Sequence, residues 1–145
     1  MFDLSMGKYR EIVNIRTEAE GDIIDLSALL AKVLQNSGLG EGFLCAFVPH
    51  STCALFTIEY ELGLQKDMRE TLQRLMPDDI EYEHHLRWRD GNGHSHIRAS
   101  FLSPSLVIPF SDGELDLGTW QQPVLMELDP SGRDRKLIIQ IIGDI

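Results

Sequence analysis

Apolar residues recur along the chain with two different periods. Over residues 9–16, Ile12, Val13 and Ile15 sit among polar neighbours, and the near-alternation predicts a strand. Over 25–37 the spacing becomes helical. Leu26, Leu29, Leu30, Val33 and Leu34 make one buried stripe, with Asp25 placed to cap the start and Gly38 and Gly40 to end it. Residues 42–49 form a nearly continuous apolar run of strand length, and 53–58 read as a further strand. Leu64, Met68, Leu72 and Leu75 fall at steps of four, four and three, the core face of a second helix that Pro77 closes. Lys66, Arg69, Glu70, Gln73 and Arg74 take its wet face.

Residues 77–93 are polar, aromatic and irregular, longer than most loops in compact domains, and such loops are often functional. A short helix is expected over 94–102, after Asn92-Gly93. The last third reads as β structure. Strands are expected over 105–110, 119–128 (interrupted by Pro123) and 135–142, with alternation over 114–117 and turns at Ser111-Asp112-Gly113 and 129–132. Strands outnumber helices and tight turns join several of them. The expected class is α+β, a mainly antiparallel sheet or sandwich with helices packed outside, in a single domain over 1–145.

Composition narrows the function classes. The chain has 145 residues, 43% hydrophobic and 25% charged, which is globular and excludes a disordered or collagen-like chain. Thirteen basic residues against 23 acidic ones give a net charge of −10, so a basic nucleic-acid face or an anionic membrane surface is disfavoured. The start, Met1 to Gly7, lacks a basic, then apolar, secretory leader, and no run reaches the ~20 apolar residues of a membrane span. A cytoplasmic protein is expected. Cys45 lies in an apolar run and reads as core. Cys53 follows His50-Ser51-Thr52, so a nucleophilic thiol competes there with wall packing.

The candidate chemistry lies between residues 50 and 96, which hold all five histidines: His50, His84, His85, His94 and His96. Imidazole is a common ligand for Zn²⁺ and titrates near neutrality, so the cluster is metal-ligand or acid–base material; solvated loop histidines are the bland alternative. In a helix His94 and His96 diverge by about 200°, so only one of them reaches a given centre. Ser51 and Thr52, just after a buried strand, offer hydroxyls to a phosphate oxygen or merely make a turn. Glu59 is either a ligand or general base, or a surface acid. Gly118 before Trp120 allows close backbone approach, and the indole either stacks on a heteroaromatic or packs in a core or interface. Arg133 and Arg135 suit phosphate, or pair with Asp129 or Asp134.

Taken in order, His50-Ser51-Thr52-Cys53-Ala54-Leu55, Glu59, Pro77-Asp78-Asp79, Tyr82-Glu83-His84, Asp90-Gly91-Asn92-Gly93-His94-Ser95-His96, Leu117-Gly118-Thr119-Trp120-Gln121, Glu127 and Arg133-Asp134-Arg135 resemble the YjbQ family, also called the secondary thiamine-phosphate synthase enzyme family. The resemblance implies a compact α+β domain assembling as a homotrimer, with a polar, histidine-containing site at a subunit boundary. It implies a small phosphorylated substrate: a pyrimidine pyrophosphate is joined to a thiazole phosphate with release of pyrophosphate. On this reading His50, His84 and His96 hold a divalent metal (Zn or Mg), and Glu59 or Asp90 completes its shell or shuttles a proton. Ser51 and Thr52 contact phosphate, Trp120 stacks on a ring, Gln121 hydrogen-bonds it and Arg135 faces phosphate. His94 is a weaker carry-over, because family members need not carry histidine there. The alternatives are a phosphate or pyrophosphate hydrolase and a non-enzymatic metal- or small-molecule-binding trimer.

Overall fold

Among the described residues, eight strands and four helices follow in the order β1 (Met6–Arg16), β2 (Ile23–Asp25), α1 (Ser27–Ser37), β3 (Glu41–Phe47), β4 (Cys53–Ile58), α2 (Leu62–Leu75), α3 (Glu83–Trp88), α4 (Gly93–Leu102), β5 (Ser105–Ser111), β6 (Glu114–Leu115), β7 (Gln122–Glu127) and β8 (Asp134–Asp144). The computed structural model describes residues 5–145. The reading of Met1, Phe2, Asp3 and Leu4 as part of a leaderless start therefore lies outside the described residues.

The strands form two antiparallel sheets, a five-stranded one ordered β1-β8-β3-β5-β6 and a three-stranded one ordered β2-β7-β4. Alternation assigns the faces. Leu44 and Ala46 of β3, Ile108 and Phe110 of β5 and Leu137, Ile139 and Ile141 of β8 point inward, meeting Leu55, Leu125 and the α1 stripe Leu30, Val33 and Leu34. The opposite face of the small sheet, Ala54, Val124 and Met126, packs on Leu72 of α2 and Ala99 of α4. β7 is thus covered on both faces, which is why its sequence reads as a run and not as an alternation. Burying the larger of these side chains stabilises the fold by ~1.5–3 kcal/mol each before conformational entropy is charged against them.

The α+β class agrees with the expectation, and several boundaries move. Asp25 ends β2 and does not cap α1. Its carboxylate accepts the Ser27 amide at 2.9 Å and hydroxyl at 2.6 Å, bracing the first turn from outside it, while Leu26 is the N-cap residue. Gly38 closes α1 in the left-handed region at φ 70°, with its amide bonded to the Gln35 carbonyl. Of the second helical stripe, Leu72 is buried but Leu75 is exposed, because the helix end overhangs the small sheet. The expected strand over 119–128 is confined to β7: the segment before it turns, with the Gln121 amide bonded to the Gly118 carbonyl. The alternation over 114–117 yields only the two-residue β6. The irregular stretch 77–93 contains α3, a six-residue helix that periodicity could not reveal.

Candidate functional site

At one end of the sandwich the apolar rows stop together. The inner row of β7 runs from Leu125 to Glu127, that of β8 from Leu137 to Arg135, and the two charged residues meet where the core opens. Glu127 has no solvent exposure, and each of its acceptor positions is used. The Thr17 hydroxyl donates at 2.6 Å, the Leu128 and Asp129 amides at 3.1 Å each, and Arg135 through Nε at 2.9 Å and through Nη2. Nη2 of Arg135 also donates to Oγ1 and the carbonyl of Thr52, at 2.8 and 3.0 Å. Burial works against the guanidinium charge, but Glu127 outweighs it and raises the Arg135 pKa. Among the described residues Nη1 has no hydrogen-bond partner, so this edge of the fork is unengaged.

Over this pair lies an open cavity of about 340 Å³, with His50, Ser51, Thr52, His96, Arg133 and Arg135 in its walls. Arg133 donates through Nε to Asp129 at 2.9 Å, and among the described residues both its terminal nitrogens are unengaged. Burial alone would raise the Asp129 carboxyl; hydrogen bonds from Arg133, Asn92 and the Ser131 amide outweigh it and hold the group below its usual range. Asn92, also in the wall, spends Nδ2 on Asp129 at 3.3 Å, and its Oδ1 is buried without a donor among the described residues.

The imidazoles have distinct roles. His50 accepts the Lys136 amide on Nε2 at 2.9 Å. Burial first, then Arg135, lowers its pKa, so the ring is neutral with its proton on Nδ1. It is a fixed hydrogen-bond donor, and neither nitrogen is open to a metal while that bond stands. His96, in the first turn of α4, has its pKa lowered by burial and then by His84, whose ring centroid is 4.7 Å away. His84 sits on α3 with a buried Nδ1 that has no hydrogen-bond partner among the described residues and lies 3.4 Å from Oδ1 of Asp90. Of the three rings expected to converge, His50 and His96 both line the cavity, and His84 packs against His96 without lining it. Among the described residues, the set of three ligand-type side chains with donor atoms mutually within 4.8 Å is a different one, Glu20, Asp78 and His94.

That set belongs to a polar network joining the β1–β2 loop, the end of α2 and α4. His94 is 2% exposed and bonds Glu20 at 2.5 Å, Arg98 stands 3.8 Å from the same carboxylate, and Asp78 is bonded to Gln73. Because α4 begins at Gly93, His94 turns into this network and His96 into the cavity. His85, the expected bystander, accepts the Gly93 amide at 2.9 Å. A Cβ at Gly93 would lie 2.6 Å from Cβ of Tyr82, so a larger residue would displace α4 and His96 with it.

The remaining candidates lie elsewhere. On the β4–β7 ladder Cys53 opposes Glu127 at one end and Ile58 opposes Gln122 at the other, about 17 Å away at ~3.4 Å per residue. Glu59, Trp120 and Gln121 sit at that far end; Trp120 is 71% exposed, and Gln121 donates to the Thr57 hydroxyl at 3.3 Å. Glu59 is exposed and outside the cavity. Cys53 is buried, and burial pushes its thiol up to about 11, which excludes a resting thiolate nucleophile. Sequence reasoning did not give Asn92 a role of its own and treated Asp129 only as a possible arginine partner. A polar pair breaking two apolar rows at the same end was the available signal for this corner.

The model of the UPF0047 protein YjbQ-like family matches residues 11–144. The chain belongs to the YjbQ/UPF0047 family. It is 36% identical over 138 residues to a UPF0047 protein of Methanothermobacter thermautotrophicus, covering 95% of this chain and 94% of that one. It is 31% identical over 130 residues to one of Archaeoglobus fulgidus, with 90% and 98% covered. Among solved structures, a YbjQ-like protein of unknown function from Sulfolobus solfataricus superimposes with a TM-score of 0.90 at 30% identity, covering 97% of this chain and 100% of that one. An uncharacterized yjbq/upf0047 family protein of Clostridium acetobutylicum gives 0.81 at 30% identity, with 90% and 98% covered. These relatives carry the fold and the family, and their names state no activity.

Proposed function

We propose that this YjbQ-family protein is an enzyme acting on a small phosphorylated substrate, with thiamine-phosphate formation as the reaction to assay first. One observation carries the reading: the free guanidinium edges of Arg133 and Arg135 share a cavity with two neutral imidazoles. In that reaction the thiazole nitrogen attacks the pyrimidine methylene, a C–N bond forms, the C–O bond breaks and pyrophosphate leaves with the electron pair. Arg133, Arg135 and Nδ1–H of His50 would bind the departing charge, a task at which preorganised donors are effective. Ser51 and the Thr52 backbone would shape the wall beside it. The neutral His96 ring, with no hydrogen-bond partner among the described residues, favours a second reading in which it takes a proton from water in phosphate-ester or pyrophosphate hydrolysis.

A divalent cation, if the protein carries one, would be held by His84, His96 and Asp90, a donor set that suits Zn²⁺ better than Mg²⁺. The orphaned Nδ1 of His84 beside Asp90 supports that placement. The ion would supply charge for a leaving phosphate. His50 is not proposed as a ligand.

The functional assembly on this reading is a homotrimer. Ile12, Ile138 and Phe47 are in register across three strands on the outer face of the large sheet, next to Phe43, Ile142 and Pro109. Ile12, Phe43, Phe47 and Val107 are all exposed there, an apolar face that association would cover. Association would also let Trp120 and Gln121 of one copy approach the arginine cavity of the next.

The test incubates purified protein with the pyrimidine pyrophosphate and thiazole phosphate, with and without EDTA, and follows thiamine phosphate. His96→Ala and Arg133→Ala are expected to lower turnover by ~10²-fold or more. Wild-type protein that forms no product, hydrolyses no phosphate ester and binds no phosphate would overturn the reading. Tight phosphate binding without turnover would convert it to a binding module.

A further inference from the structure

One buried hydroxyl is tied to both arginines of the cavity. Thr17 follows the last residue of β1 and has no solvent exposure. Its amide donates to the Arg133 carbonyl at 2.9 Å, and its Oγ1 accepts the Arg133 amide at 2.8 Å. These two bonds clamp the backbone from which the Arg133 side chain leaves. The same Oγ1 lies 2.6 Å from Oε1 of Glu127 and 3.1 Å from the Arg133 carbonyl. A hydroxyl has one proton to donate, and the carboxylate, nearer and charged, takes it. Glu127 in turn holds Nε and Nη2 of Arg135. Its Oε2 is also fixed by the Leu128 and Asp129 amides. Among the described residues, Oε1 has no donor besides Thr17 and Arg135 itself.

We propose that Thr17 is a positioning residue for anion binding: its hydroxyl sets Arg133 through the backbone and Arg135 through Glu127, so that the two guanidinium groups meet one anion in a common geometry. This rests on the phosphate reading above and adds the group that aligns its two cations. Thr17 does not line the cavity and acts only through the residues that do. The ion pair with Glu127 would keep Arg135 nearby without the hydroxyl, but attraction between charges has little direction. A planar fork of donors binds an oxyanion well only at fixed angles, and hydrogen bonds to its carboxylate partner supply them. Arg133 is held at its Nε by Asp129, and the bonds from Thr17 fix the strand from which that contact is made. A small displacement of either guanidinium loosens a site whose supporting shell is one residue deep.

The experiment is calorimetric titration of the full chain with inorganic phosphate, well below the unfolding midpoint of each variant. Thr17→Val keeps the volume, removes the hydroxyl and should weaken phosphate binding about tenfold or more. Thr17→Ser keeps the hydroxyl and should retain affinity to within about threefold. Thr17→Ala leaves room for a water in place of the hydroxyl and should fall between the two, which keeps the test open if Thr17→Val does not fold. A merely structural role would not move these affinities, because a protein that stays almost wholly folded binds with its intrinsic constant. In the Arg133→Ala background Thr17→Val should cost less than in the wild type, since only Arg135 is then left to misplace. Folded Thr17→Val that binds phosphate within about twofold of the wild type would overturn this inference and leave the phosphate site standing. So would Thr17→Ser that loses as much as Thr17→Val, or an equal cost in both backgrounds. A wild type that binds no phosphate would instead overturn the phosphate reading, and this inference with it.

Discussion

Arg135→Met is the sharpest test of how this corner is built. The substitution keeps most of the side-chain volume and removes the only guanidinium in contact with Glu127 among the described residues. Glu127, which has no solvent exposure, would keep the Thr17 hydroxyl and the two amides of Leu128 and Asp129, but lose both hydrogen bonds from Arg135 and its counter-charge. Thr52 is less affected, because its carbonyl also accepts the Leu128 amide. Removing one partner of a buried pair costs ~3–5 kcal/mol. For a domain of this size that lowers Tm by roughly 6–20 °C, at about 2–4 °C per kcal/mol. The double variant Arg135→Met/Glu127→Leu removes the stranded charge and extends the apolar rows, so most of that loss should return. Urea unfolding of the wild type, both single variants and the double variant closes the cycle. A loss below about 1 kcal/mol in Arg135→Met, or a double variant no more stable than the weaker single one, would refute the view that the pair holds the open end of the sandwich. Phosphate binding should fall in both Arg135 variants whatever their stability, which separates the role in folding from the role in the site.

Acid should weaken the fold while the carboxylates are still ionised. His50 and His96 titrate lower in the native protein than in the unfolded chain, so their contribution is complete above pH ~6.5 and is lost as pH falls through their native values; denaturant unfolding at pH 7.5 and 5.5 should show the loss, and His96→Gln should reduce it. Cys53 should resist alkylation at pH 8 in the native state and react on unfolding, as peptide mass spectrometry would show; rapid native labelling would contradict its burial and raised thiol pKa. Trp120→Ala should leave urea stability within ~0.5 kcal/mol, since an exposed indole contributes little to a single chain. It should weaken self-association seen by light scattering, where the wild type is expected at three times the 16.4 kDa chain mass; a monomeric wild type at micromolar concentration would remove the shared-site proposal.

Periodicity along the chain determined the α+β class, α1 with its Gly38 stop, and β8, because α1 and β8 each bury one face and their apolar spacing records which one; β4, buried on both faces at its start, was legible as a short apolar run of strand length. The histidine-rich stretch and the arginines near the C-terminus were visible as chemistry for the same local reason: residue type alone marks donors, acceptors and charge. Tertiary structure decided the rest. It sent His94 into a buried network and His96 into the cavity, fixed the proton of His50 through the Lys136 amide, and placed Trp120, Gln121 and Glu59 a full strand length from Arg135. It also turned Glu127 and Arg135, eight positions apart in sequence, into a buried pair beneath the site. Such facts depend on which strand lies beside which and on what is left without a partner. Those are properties of packing between distant segments, and no local spacing of apolar and polar residues encodes them.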